Sequence, residues 1–323
     1  MLPLHRYGST VASVWRSGHG NATLKYFRSR LQSSPSPNIS SSSFSALSIR
    51  FTHQEAGPGN SESIPFKQNT GGRLQGKNVL ITGASSGIGE ACARHFAQAG
   101  SNLLLSARRK DRLEKLKGEL ESRHPNIKVS TFELDVRNRS KVQATATTFG
   151  DVDVLVNNAG LVIGLDKLED ISEEAMDTMI DTNVKGLVHV TQSVLPGMRA
   201  RNKGHIINIG SVAGQQAYAN GSIYCASKAA VASITKALLY ETVDTAIRIS
   251  EINPGMVETE FSLVRFRGDK ERADSVYKGL QPLDGNDIAE TVVFVAGRPD
   301  HVNIAEMLVF PVNQAAATTF HRK

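Results

Sequence analysis

The chain has 323 residues, 40% of them hydrophobic and 21% charged, which places it among globular proteins with length for one large α/β domain plus an appendage. Its formal charge of +6 does not mark a nucleic-acid partner: Arg6, Arg16, Lys25, Arg28, Arg30 and Arg50 supply the whole excess, and residues 1–54 hold no Asp or Glu. Two cysteines, Cys92 and Cys225, are too few for a disulfide framework or a Cys-based metal centre, and no run of about 18 apolar residues offers a membrane span.

Taken in chain order, residues 1–54 are rich in Arg and Ser, free of acids, and carry the tract Ser33-Ser34-Pro35-Ser36-Pro37. That is the composition of a mitochondrial transit segment, the alternatives being a disordered tail or a cytoplasmic protein read from too early a start. Gly57, Pro58, Gly59, Gly71 and Gly72 mark 55–72 as a linker. From residue 73 onward short apolar runs alternate with amphipathic stretches, which predicts a single catalytic domain over 73–323. Strands are expected at 78–82, 102–107, 128–134, 152–157, 205–210, 247–253 and 306–310, forming a Rossmann-type, doubly wound, parallel seven-stranded sheet. Ligands bind such a sheet beyond the carboxyl ends of its strands.

After the first strand comes Thr82-Gly83-Ala84-Ser85-Ser86-Gly87-Ile88-Gly89, leading into an Ala-rich helix. Gly83, Gly87 and Gly89 allow a sharp turn and close backbone approach to a pyrophosphate, which Ser85, Ser86 and Ile88 would flank at the helix start. The same residues fit the G-x-S-x-G turn of a serine hydrolase, but neither an oxyanion loop upstream nor an obvious His partner downstream accompanies it. Following the second strand, Arg108 and Arg109 stand where an NAD site carries an acid, so NADP is the expected cofactor.

Ser211 follows the fifth strand, and Tyr224 and Lys228 then stand four apart on a helix expected over 222–242. At that spacing the ammonium can bias the phenol toward phenolate, lowering its pKa from about 10 by roughly 2 to 3 units. A tyrosine so tuned is a proton acceptor for an alcohol.

These residues resemble the short-chain dehydrogenase/reductase family over essentially all of 76–323. The resemblance rests on the loop 82–89, Asp135-Val136, Asn157-Asn158-Ala159-Gly160, Asp181-Thr182-Asn183, Ser211, Tyr224, Lys228 and Pro254-Gly255. It implies that Asp135 and Val136 meet the adenine and that Asn157 and Ala159 flank the ribose and nicotinamide side. Asn183 would hold a water joining Lys228 to solvent, Ser211 would orient the substrate oxygen, Tyr224 would exchange its proton, and Lys228 would bond the nicotinamide ribose. Pro254, Gly255, Val257 and Thr259 would close over the nicotinamide.

Residues 257–269 and the tail Phe310-Pro311-Val312-Asn313-Gln314 are similar to a narrower group, the NADP-dependent 3-hydroxy acid dehydrogenases that also oxidise serine or allo-threonine. Arg265 and Arg267 are candidates for the substrate carboxylate. The chain is shorter than the family pattern between Asp135 and Asp153, so a truncated or shifted helix is expected around 140–149. The helices over 173–194 and 222–242 resemble those through which family members assemble, implying a homotetramer. A carbonyl reductase for neutral ketones and a non-enzymatic NADPH sensor remain the competing readings.

Overall fold

The central predicted strands are short Val-, Ile- or Leu-rich runs, the pattern of strands covered on both faces, whereas 128–134 is more polar. In the computed structural model, which describes residues 72–323, the predicted strands become β1 (Asn78–Thr82), β2 (Asn102–Ala107), β3 (Val129–Glu133), β4 (Val154–Asn157), β5 (Gly204–Ile209), β6 (Ile247–Pro254) and β7 (Glu306–Val309). The transit segment expected over 1–54, and the linker over 55–72 except its last residue, lie outside the described residues. The strands form one sheet in the order β3-β2-β1-β4-β5-β6-β7, every pairing parallel. The order reverses between β1 and β4, and the carboxyl ends of those strands open the crevice that such a sheet offers a ligand.

Helices bury one apolar stripe each against the sheet. On one face lie α1 (Gly87–Gln98), α2 (Lys110–Arg123) and a helix near the end of the chain, Gly285–Ala296, around Phe96, Leu113, Val292 and the sheet residues Val79 and Ile81. On the other lie α3 (Arg139–Ala146), the helix Leu187–Ala200 and the long helix Ser222–Glu241, around Val142, Val190, Leu238 and the sheet residues Leu80 and Leu155. The helix expected around 140–149 is the eight-residue α3.

Expected as one helix, 173–194 is interrupted. It runs as α4 (Glu173–Ile180), widens into a π-helical turn at Asp181–Gly186, and resumes as α5 (Leu187–Ala200). The cause is Asn183, whose side chain turns inward to hydrogen-bond the backbone of Leu161, and such a widened turn marks a functional site more often than a defect. The remaining helices are α6 (Ser222–Glu241), α7 (Glu260–Arg265), α8 (Lys270–Ser275) and α9 (Gly285–Ala296). Asp284 and Asp287 cap the start of α9 reciprocally, and the Arg248 guanidinium donates to the carbonyl of Ala296 at its end, 2.8 Å.

A polar row crosses the sheet near its carboxyl edge. In register, Asn157 pairs with Asn208, Asn208 with Glu251, and Glu251 with Glu306; parallel partners in register face the same side.

Candidate active site

Thr82 ends β1 with its hydroxyl accepting from the backbone N–H groups of Asn158 and Ala159, both at 3.0 Å. This ties the ends of β1 and β4 together and leaves the next residues no room. Gly83 has φ +68°, and a Cβ there would lie 2.9 Å from the Ala159 Cα, so no other residue fits. At Gly89 a Cβ would lie 2.5 Å from the Gly83 carbonyl oxygen. Ser86 precedes α1 in an extended conformation, with no side chain capping the helix, which leaves first-turn N–H groups facing the crevice.

A cleft of about 570 Å³ opens over these strand ends. At one end it is lined by Gly83, Ser85, Ser86, Gly87 and Ile88, with Arg108 and Arg109 beyond them. The Arg109 guanidinium donates to the hydroxyls of Ser85 (3.2 and 3.1 Å) and Ser86 (2.7 Å). Both loop hydroxyls are thus committed to a cation, as suits an anion site and not a serine nucleophile. Asp135 and Val136 line the same part of the cleft, and the hydrogen-bonded Arg137 holds the Asp135 carboxyl below its usual range.

At the other end stand Ser211, Tyr224 and Lys228, with Ala159, Pro254, Gly255, Val257 and Thr259. The Ser211 N–H donates to the Asn253 Oδ1 at 2.9 Å and its hydroxyl accepts from the Ala213 N–H at 3.1 Å, beside the Tyr224 phenol, whose pKa it lowers. Lys228 is buried and donates from Nζ to the Ile209 carbonyl at 2.8 Å. Burial pushes its pKa down to about 8, with the Glu251 carboxylate acting against that shift. The tuning expected for Tyr224 is not what the structure shows: burial pushes the phenol well above its ordinary value, only partly offset by Ser211. A phenol removed from water is held neutral, so Tyr224 keeps its proton.

Behind these groups, Glu251 is buried with its Oε1 lacking a hydrogen-bond partner, and burial followed by the neighbouring Glu306 raises its pKa to about 7. The Asn253 amide donates to Glu306 Oε1 at 3.2 Å, so the backbone of Ser211 is anchored through Asn253 to the outermost carboxylate of the polar row.

Above the catalytic end lies α7. Phe261 meets the Tyr224 ring edge-on at 5.7 Å between centroids. The Arg265 guanidinium donates to the Tyr218 hydroxyl at 2.7 Å and lies 5.8 Å from the Tyr224 ring centroid, while its Nε is buried without a hydrogen-bond partner. At the start of the helix Glu260 accepts from Arg109 (2.9 Å) and Arg112 (2.7 Å). Those hydrogen bonds, Arg112 first, hold its carboxyl at about 2. Tyr277 donates to the Val257 carbonyl at 2.9 Å and meets Ser262, and the Gln314 Oε1 accepts from the Met256 N–H at 2.8 Å.

Three expected site residues do not line the cleft. Asn157 sends its amide into the polar row, donating to Thr191 and Asn208, and it is Asn158 that faces the cleft. Gly89 contributes by its smallness beneath the loop. The Asn183 side chain exchanges 2.8 Å bonds in both directions with the Leu161 backbone and donates to Ser227 at 3.0 Å, which shapes the loop after β4. Of the two candidate arginines Arg265 lines the cleft, whereas Arg267 has φ +53° and pairs with Asp166 at the surface. Sequence reasoning missed Tyr218, Glu260, Phe261 and Gln314 as site residues. Glu260, Phe261 and Gln314 stand within the stretches singled out above, but their roles depend on partners far along the chain.

A family model described as short chain dehydrogenase matches residues 77–268. The chain is 47% identical over 256 residues to the NADP-dependent 3-hydroxy acid dehydrogenase of Schizosaccharomyces pombe, covering 78% of this chain and 98% of that protein. It is 46% identical over 250 residues to the NADP-dependent 3-hydroxy acid dehydrogenase YdfG of Salmonella typhi, covering 76% and 99%. Among solved structures, the closed form of a serine dehydrogenase complexed with NADP⁺ matches with a TM-score of 0.71 and 43% identity, over 76% of this chain and 100% of that one.

Proposed function

Since the chain belongs to the short chain dehydrogenase family, we propose that it is an NADP-dependent oxidoreductase acting on the hydroxyl-bearing carbon of short 3-hydroxy acids. The class covers 3-hydroxypropionate, 3-hydroxyisobutyrate, L-serine and L-allo-threonine. One observation carries the reading. A single cleft has an arginine-backed glycine loop at one end, and at the other Ser211, Tyr224 and Lys228 beneath an arginine, Arg265, whose Nε is buried and unpartnered.

The residues present fit NADP. Gly83 and Gly89 leave backbone where a Cβ would collide, the start of α1 offers N–H groups to a pyrophosphate, and Arg108 and Arg109 offer guanidiniums to a 2′-phosphate. When bound, NADP supplies the hydride chemistry. The chain supplies the rest: the Ser211 and Tyr224 hydroxyls bind the substrate oxygen, and Tyr224 returns the proton in reduction and removes it in oxidation. Lys228, held on the Ile209 carbonyl, keeps a positive charge beneath them. Arg265 is the group we assign to the substrate carboxylate, because it lines the cleft and one of its donors is buried without a partner.

The test is NADP⁺ reduction with the four acids and a set of neutral secondary alcohols, each repeated with NAD⁺. Turnover of the acids with NADP⁺ supports the assignment, and turnover of neutral alcohols alone removes it. Arg265→Ala is expected to raise KM for the acids at least about tenfold, the worth of one charge-assisted bond, and unchanged affinity takes Arg265 out of the role.

The same reading extends to assembly and location. Tyr240 and Val243, at and just beyond the end of α6, expose 77% and 82% of their surfaces, which supports a homotetramer built on the α5 and α6 helices. The acid-free, Arg- and Ser-rich residues 1–54 support delivery to the mitochondrion, tested by whether fusing them to a reporter directs it there.

A further inference from the structure

Three guanidiniums and one carboxylate gather at the adenosine end of the cleft. Arg109 uses two different edges. Its Nε and Nη2 face the Ser85 and Ser86 hydroxyls, and its Nη1 faces Glu260. Arg112 holds the other Glu260 oxygen, and Arg108 lines the cleft beside them. The nearby Glu90 is engaged by Arg94 at 2.8 Å. The cluster of Arg108, Arg109, Arg112 and Glu260 therefore carries two net positive charges, the complement of a dianionic phosphate. Glu260 is also the first residue of α7, and that helix lays Phe261 on Tyr224 and Arg265 on Tyr218 and Tyr224. One guanidinium thus stands between the loop that would hold the cofactor and the helix that covers the substrate.

We propose that Glu260 is a specificity-determining residue that transmits the presence of the cofactor's 2′-phosphate, through Arg109, to α7 and so to the substrate side of the cleft. The inference rests on the chain being NADP-dependent. Glu260 is not displaced by the phosphate. The phosphate binds the loop-facing edge of Arg109 together with Arg108 and Ser86, neutralises the cluster, and fixes Arg109 against Glu260. A cofactor without that phosphate leaves Arg109 held only by hydroxyls on that side, and α7 docks less firmly. Discrimination between the two cofactors then appears in the affinity for the hydroxy acid as well as in affinity for the cofactor, because a coupling between two sites acts on both.

The test uses adenosine 2′,5′-bisphosphate as the probe and adenosine 5′-monophosphate as its control, with the full-length protein. The bisphosphate is expected to slow amide hydrogen exchange across residues 260–265 by about fivefold or more, and the monophosphate not to. Glu260→Gln is expected to abolish the slowing while bisphosphate binding, read by calorimetry, persists. Arg112→Gln, an exposed change that spares the loop, is expected to reduce it. In kinetics, the ratio of KM for a hydroxy acid with NAD⁺ to that with NADP⁺ is expected to fall toward one in Glu260→Gln. Equal slowing by both nucleotides, or slowing that survives Glu260→Gln, overturns the proposal and leaves the NADP reading standing. Failure of the wild type to bind either the bisphosphate or NADPH overturns both.

Discussion

Burial keeps the proton on the Tyr224 phenol and makes it a weaker acid than a free phenol, so the proton moves only as charge develops on a substrate oxygen bound beside Ser211. Tyr224→Phe removes that proton and little volume, so kcat is expected to fall by about 10²- to 10⁴-fold while NADPH binding, followed by nucleotide fluorescence, stays within a few-fold. The buried carboxyl of Glu251 gives a second measurement at the same scale. Its pKa is raised from the model-compound value of 4.5 to about 7, so between these values the folded protein keeps a proton that the unfolded chain has released. Stability is therefore lost as pH rises through that window and the loss is complete above it. Glu251→Gln carries no such penalty. Its melting temperature relative to wild type is expected to be higher at pH 8 than at pH 5, and a gap that does not change with pH contradicts the assignment. Ser211, Tyr224 and Lys228 were legible in the sequence because their chemistry needs fixed residue types at short spacing. The charge state of Tyr224 was not, because it depends on how deeply the folded chain buries the ring, and neither was the inward turn of Asn157, whose partners Thr191 and Asn208 come from elements 34 and 51 residues away.

At the scale of elements, the joint between β1 and α1 is the least forgiving part of the domain. A Cβ at residue 89 meets a backbone oxygen at 2.5 Å, and backbone cannot step aside as a side chain does. Gly89→Ala is expected to cost about 1–3 kcal/mol, read as a lowered denaturant midpoint, and to weaken NADPH binding more than it lowers stability, since the strain falls on the loop itself. The central strand positions were legible because double burial writes β1, β4 and much of β5 as apolar runs, and β1 and β2 fall at their expected residues. The π-helical turn at Asp181–Gly186 was not legible. An amphipathic pattern runs straight through it, and at the break Asn183 both accepts from and donates to the Leu161 backbone 22 residues earlier. The stretch that forms α7 was singled out in sequence only by its similarity to a narrower group and by its two arginines, and only folding shows that Arg265 lines the cleft and Arg267 faces Asp166.

The whole molecule divides by charge at its start. The cation excess lies in residues 1–54, and the cleft lined by Ser211, Tyr224 and Lys228 lies within 72–323. A protein of residues 73–323 is accordingly expected to keep the kcat/KM of the full chain and to bind a cation exchanger more weakly at neutral pH. If four copies assemble through α5 and α6, Tyr240→Asp is expected to shift the sedimenting species from four times the chain mass to a smaller one, with kcat/KM little changed because Tyr240 is remote from the cleft lining.

Helix α9 lies against α1, and a Cβ on Gly285 would come within 3.1 Å of the Gly87 carbonyl oxygen. The glycine loop is therefore braced by a segment translated almost two hundred residues later. During synthesis the first strands can pair and Arg109 and Asn158 can engage the loop between β1 and α1, but its packing against α9 waits until Asp284 and Gly285 emerge, which makes its completion a late, long-range step. The domain cannot be cut into a nucleotide half and a substrate half that each mature alone: a fragment ending before residue 284 keeps every glycine of the loop and lacks the helix that holds them in place.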